Sequence, residues 1–307
     1  MLSIFDFYSF IVFKNIIKMT SVKDLLDILI LDKVQETEFL GLSKSVGSPN
    51  VFGGQVLAQA INAAYRTITN KRILHSLHAY FLEPGKLEIP INYNVSVLRD
   101  GGSFSVRRVT ASQKDKVIFI LAASFHKREE GYGHQVELKS GLKQPEDLLS
   151  WTDILHQFND FLPNHIKAFF EVQRPIDFKP TIISNPLDRK DLPPYNDVWF
   201  RLKGDTKNLD LPTKQQILTY ISDYNILVSA FNPHASKAHW GNTQTASLDH
   251  SMWFFRDFNF EDWLLFSMES PSTHNARGFA RGHIFTRDGK LVASVTQEGL
   301  MRPIVKK

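Results

Sequence analysis

One acid stands alone in an otherwise uncharged stretch of this chain. Across residues 215–231 the only charged side chain is Asp223, and its neighbours at helical spacing are Thr219, Tyr220, Ile226 and Leu227. Apolar residues run nearly all the way round the segment, which is the pattern of a buried helix. A carboxylate in such a place must be hydrogen-bonded, or its charge is costly. Two readings fit. Asp223 is either a structural acid satisfied by hydroxyls such as Ser222 or Thr219, or a catalytic one. Burial raises a carboxyl pKa and makes the group a better general base near neutral pH.

Two polar side chains further on belong to the same question. Ser247 lies in Thr245-Ala246-Ser247-Leu248-Asp249-His250. Strand alternation puts Ser247, Asp249 and Ser251 on one face, and Leu248, His250 and Met252 on the other. Ser247 and His250 should then face opposite ways, which argues against a Ser–His pair. No G-x-S-x-G elbow supports a serine hydrolase either. Gln297 ends the series Leu291, Ala293, Val295, Gln297, all on one face, so its amide should enter the core or a cleft. A hydrogen-bonded core glutamine and a site residue are equally consistent with that. Gly53-Gly54, followed by Gln55, opens a helix whose first N–H groups could bind a carbonyl or phosphate. Tight packing explains the glycines as simply. His75, His78 and His250 read as strand histidines without a catalytic role.

The elements that must position these residues occur twice. After Gly53-Gly54, the residues Val56, Leu57, Ala60, Ile61, Ala64 and Ile68 recur at helical spacing. Strand-like runs at 74–81, 89–98, 104–112 and 116–126 follow, separated by turn residues such as Asp100-Gly101-Gly102. The second half repeats the order: a helix over 215–231, then strands at 246–255, 263–270, 276–287 and 290–298. An alignment sets Arg107 on Arg281, Val117 on Leu291 and His78 on His250, so a duplicated unit is expected. Seven of the fourteen prolines fall within 145–194, which predicts a connector with short helical pieces rather than regular sheet. The expected organisation is therefore an N-terminal extension at 1–18, one unit at 19–134, a connector at 135–200 and a second unit at 201–307. Each unit would be a long helix on an antiparallel sheet, an α+β layer arrangement.

Composition excludes several chemistries. Cysteine is absent, so there are no disulfides, thiol nucleophiles or thiolate metal sites. Eleven histidines include no H-E-x-x-H or close His/carboxylate cluster, so no metal is expected. A net charge of +4, with basic residues scattered, does not indicate nucleic-acid binding. The apolar run at 4–13 is broken by Asp6 and is too short to span a bilayer. It lacks the basic start and small-residue cleavage site of a signal peptide, so Met19 is the expected biological start and the cytoplasm the expected location. The C-terminus is not an S-K-L-type peroxisomal address.

Four blocks carry a resemblance. They are Phe52-Gly-Gly-Gln-Val-Leu-Ala-Gln-Ala, Leu77-His-Ala-Tyr-Phe-Leu-Glu-Pro-Gly, Ser247-Leu-Asp-His-Ser-Met-Trp-Phe and Ala293-Ser-Val-Thr-Gln-Glu-Gly. In this order the chain resembles the type II acyl-CoA thioesterases, double-hotdog enzymes with two antiparallel sheets each wrapped on a long central helix. The resemblance implies an acyl-CoA substrate, no cofactor, and a homo-oligomer. It implies a catalytic trio at Asp223, Ser247 and Gln297, with Ser where many relatives have Thr; either hydroxyl passes a hydrogen bond. Water activated by Asp223 would attack the thioester directly, and Gly53 or Gly54 would offer an N–H to its carbonyl. The alternatives are a hotdog enoyl-CoA hydratase or dehydratase, and a non-catalytic acyl-CoA-binding protein. The hydratase signature begins well at Asp223-Tyr224-Asn225, but the position that needs a histidine holds Val228.

Overall fold

The computed structural model describes residues 17–304 apart from 70, 159, 161–166, 168–170 and 184–188. Most of the expected N-terminal extension lies outside these residues. At its end, the Ile17 carbonyl and the Met19 N–H are hydrogen-bonded to the Ser45 backbone, pairing Lys18 with Ser45, and Met19 is buried. Among the described residues no helix is long and apolar enough to cross a membrane.

A short capped helix, α1 (Val22–Asp27), and a small hairpin, β1 (Asp32–Gln35) and β2 (Glu38–Gly41), precede the first repeat. The repeat itself is α2 (Gly53–Tyr65) followed by β3 (Ile73–Phe81), β4 (Ile91–Asp100), β5 (Phe104–Gln113) and β6 (Lys116–His126). Helix α2 carries no charged residue and is buried almost all round, from Gly54 to Ala64. In the second half, α4 (Leu211–Ser222) and the single turn α5 (Val228–Phe231) lead into β9 (Thr243–Ser247) and β10 (Asp249–Phe254). Then come β11 (Leu264–His274), β12 (Arg277–Thr286) and β13 (Leu291–Pro303).

The helix–strand order predicted from the sequence is thus present in both halves, with three differences. First, the strands form one sheet, not two. Its order is β1-β2-β4-β5-β6-β3-β10-β13-β12-β11, continued by β8 (Tyr195–Leu202) and β7 (Ile176–Pro180), with β9 also on β13, and the halves join where β3 pairs with β10. Open edges invite pairing, and each half covers the other's edge.

Second, the proline-rich segment supplies α3 (Trp151–Phe158) but also two strands, β7 (Ile176–Pro180) and β8 (Tyr195–Leu202), which extend the sheet beyond β11. Proline is tolerated there because Pro175, Pro193 and Pro194 precede the strands and Pro180 ends one.

Third, the helix expected over 215–231 is shorter and broken. Asp210 caps its start, accepting the Thr213 N–H at 2.9 Å, with Pro212 in the first turn. It stops at Ser222, and Asn225 then adopts a left-handed φ of 66°, a conformation asparagine tolerates. Asp223 is therefore the C-cap of α4. Asp210→Ala should lower stability by about 1 kcal/mol, seen as a shift of the urea midpoint at constant slope.

The repeat keeps the order of a helix followed by antiparallel strands but not the residue register. Arg107 on β5 is buried, whereas its sequence partner Arg281 on β12 is exposed and Ala280 takes the inward place. A one-residue slip turns every side chain to the other face. His78 and His250 differ in the same way, exposed against buried. On β6 and β13 the faces stay in step: Leu121 and Ala123 point inward, as do Val295 and Gln297.

Helices α2 and α4 pack against each other under the sheet. Gly54 makes this possible, since a Cβ there would run into the carbonyl oxygen of Tyr220. Further along, Asn62 donates to Gln216 at 3.0 Å and Tyr65 donates to Gln215.

Candidate active site

The start of α2 meets the end of α4 beneath strands β9 and β13. The N-cap of α2 is Phe52, whose side chain caps nothing. The Asp223 carboxylate takes that place: the Gly54 N–H donates to its Oδ2 at 2.8 Å, across 169 residues of chain. The positive end of a helix stabilises a carboxylate, while the C-terminus of its own helix opposes it. Phe52 packs against Tyr220 and Tyr224, with ring centroids 5.2 and 4.4 Å apart.

Ser247 and Gln297 complete the group. The Ser247 hydroxyl donates to Asp223 Oδ1 at 3.4 Å, and Gln297 Nε2 donates to Ser247 Oγ at 3.0 Å. Gln297 is 1 % exposed, as its place on the inward face of β13 requires. Burial is the main influence on the Asp223 carboxyl and pushes its pKa up from 3.8 to about 7. The Gly54 N–H, the Gln297 amide and the Ser247 hydroxyl work against that rise, because each binds the charged form.

All three sequence-derived trio residues therefore come together, but the expected facing of Ser247 and His250 does not hold. Strand β9 pairs Ser247 with Gly299, whereas β10 pairs Ser251 with Thr296. The register slips by one residue at Leu248, which re-aims a side chain as a β-bulge does. Consequently Ser247 and His250 both reach Gln297, the latter through its Nδ1 at 2.6 Å. Sequence reasoning missed His250 as a site neighbour; the slip at Leu248 leaves no mark in the alternation pattern.

A cleft of about 510 Å³ opens onto the trio. The first half contributes Phe52, Gly53, Phe81 and Phe119, and the second Leu227, Trp240 and Leu248 beside Asp223, Ser247 and Gln297. Val228, where the hydratase signature needs histidine, is also in the wall, and no histidine is among the lining residues described. A Cβ on Gly53 would lie 2.8 Å from Asp223 Oδ2, so glycine keeps space open above the carboxylate. Gln55 does not line the cleft; its Oε1 accepts the Lys44 N–H at 3.1 Å. Among the described residues no cluster of acids and histidines could hold a metal ion.

A family model described as acyl-CoA thioesterase matches residues 165–300, and one described as acyl-CoA thioesterase N-terminal domain matches residues 43–126. The chain is 38 % identical over 279 residues to acyl-CoA thioesterase 2 of Haemophilus influenzae, covering 91 % of this chain and 97 % of that protein. Among solved structures, it is similar to an acyl-CoA thioesterase II, TesB2, from Mycobacterium marinum, with 34 % identity and a TM-score of 0.73. That match covers 90 % of this chain and 97 % of the other. A hot dog fold protein from Alicyclobacillus acidocaldarius, at 17 % identity and a TM-score of 0.72 over 91 % of this chain and 98 % of the other, shares the fold. Two matching family models and a relative aligned almost end to end place this chain in the acyl-CoA thioesterase family.

Proposed function

We propose that this chain hydrolyses acyl-CoA thioesters with Asp223 as the general base, and with Ser247 and Gln297 holding the water. The observation that carries this reading is a carboxyl with a pKa near 7, grouped with a hydroxyl and an amide at the end of a largely apolar cleft. Asp223 removes a proton as the water oxygen attacks the thioester carbon. The tetrahedral intermediate collapses by breaking the C–S bond, and the CoA thiolate recovers the proton from Asp223. Fatty acid and CoA leave, and the carboxylate is restored. The apolar lining suits an acyl chain, which needs no hydrogen-bonding partners.

Ser247 is not the nucleophile in this scheme. Among the described residues no histidine hydrogen-bonds it; His250 reaches it through Gln297. The Gly54 N–H, considered from the sequence as an oxyanion donor, holds Asp223 instead. Gly53, at the cleft wall, is left as the substrate-facing residue of that pair. In this reading the two hotdog units span 19–134 and 201–307. Residues 135–200 connect them and lend β7 and most of β8 to the sheet.

The test is free-thiol release from acyl-CoAs of short to long chain. Turnover is expected without a metal or cofactor added; consumption of an enoyl-CoA with no thiol released would overturn the assignment. A base must be ionised to act, so kcat/KM should rise with pH through about 7 and fall below it. A rate flat across that range would remove Asp223 as the titrating base.

A further inference from the structure

Behind Gln297 lies His250, whose ring is 0 % exposed. Its Nδ1 is 2.6 Å from Gln297 Oε1, and its Nε2 is 2.9 Å from the Ser222 hydroxyl. Gln297 leads on to Ser247, and Ser247 to Asp223. Ser222 and Asp223 are consecutive residues, so these contacts form a closed ring that starts and ends at the C-terminus of α4.

The hydrogens of this ring can be arranged in two ways. An amide oxygen only accepts, so with Oε1 against Nδ1 the hydrogen must be on Nδ1. Burial pushes the His250 pKa down to about 4, so the ring is neutral near pH 7 and its Nε2 is bare. Ser222 must then donate to Nε2. In the other arrangement Ser222 donates to the Thr219 carbonyl oxygen, 2.8 Å away, and Nε2–H donates to Ser222. Nδ1 would then be bare and would need a donor, which forces the Gln297 amide to turn end for end. Its carbonyl oxygen would face the Asp223 carboxylate, acceptor against acceptor, and would compete with it for the one Ser247 hydroxyl hydrogen. Only the first arrangement lets the Gln297 NH₂ donate to Ser247 and stabilise the Asp223 charge.

We propose that His250, as the Nδ1–H tautomer set by Ser222, is a positioning residue that fixes the Gln297 amide with its NH₂ toward the attacking water. This rests on the catalytic reading of the trio given above. His250 itself is fully buried and does not line the cleft. It couples the helix end that carries the base to the strand that carries the amide.

The test has two readouts. Long-range ¹⁵N–¹H correlation spectra of the wild-type protein, with the His250 signal assigned by its loss in a variant, should show hydrogen on Nδ1 and a bare Nε2. Thiol-release kinetics should show His250→Leu losing about 100-fold in kcat, the scale of a small misplacement at a reacting centre, with KM little changed. His250→Asn, whose side-chain NH₂ falls close to the site of Nδ1, should recover most of that loss. A histidine that only fills space predicts the reverse order, with leucine the better substitute. Hydrogen on Nε2, or His250→Leu as active as His250→Asn, overturns the proposal. If His250→Leu fails to fold, the tautomer decides alone. Normal turnover by Asp223→Asn would be a different failure: it would remove the catalytic reading itself, and the role of His250 with it.

Discussion

Asp223→Asn is expected to lower kcat by about 10²–10⁴-fold, the range over which a positioned general base acts, while the protein folds and binds substrate. Asparagine keeps the shape and an oxygen for the Gly54 N–H, now 2.8 Å from Oδ2, but cannot take a proton from water. The same variant should also be more stable than wild type at high pH. The folded-state pKa of Asp223 is raised from 3.8 to about 7, so between those values the folded chain holds a proton that the unfolded chain releases. The associated stability is complete below pH 3.8 and declines as pH rises toward 7. A shift of about 3 units at about 1.4 kcal/mol each bounds the loss at roughly 4 kcal/mol, and water in the cleft reduces it. Near pH 8, then, Asp223→Asn should melt above wild type while doing almost no chemistry. At pH 4 the two melting temperatures should converge. Paired kinetics and melting curves check both statements, and near-normal turnover would end the case for Asp223 as base.

Gly54→Ala should be the most damaging single-methyl change at the site. The added Cβ would overlap the Tyr220 carbonyl oxygen and lie 2.6 Å from the Phe52 ring. A backbone carbonyl inside a helix cannot turn aside, so α2 and α4 must move apart. Overpacking of this kind typically costs about 1–3 kcal/mol. Each kcal/mol lowers the melting temperature of a chain this large by about 2–4 °C. The shift also draws the Gly54 N–H away from Asp223 and removes a donor to the charged form. The acid limb of the pH–rate profile should therefore move upward as kcat falls. Gly131→Ala is the control, because a Cβ there meets nothing within 4 Å. If Gly54→Ala matched that control in stability and pH profile, the proposed contact between the helices would be refuted.

Much of this arrangement was legible in the sequence, and the exceptions share a cause. The lone acid in an apolar helix and the glutamine on the inward face of its strand were visible because burial follows period. The end of α4 was not. Apolar residues continue past Ser222 because α5 is buried as well, with Ser229, Ala230 and Phe231 inside. The break is made instead by the left-handed Asn225. The slip at Leu248 was hidden because alternation assumes an unbroken ladder. The joining of β3 to β10 and the bond from Gly54 to Asp223 depend on how the halves meet, which no local pattern records.

On the catalytic reading proposed above, neither half of the molecule is a catalyst in its own right. The second half carries the acid, the hydroxyl and the amide, but the N–H that holds the acid belongs to the first. The first half has the frame but not the chemistry, since the inward place that Gln297 occupies on β13 is filled by Ala123 on β6. On that reading the two joined halves hold one working centre per polypeptide. Severing the linker between them would make the rate depend on how often the fragments find each other.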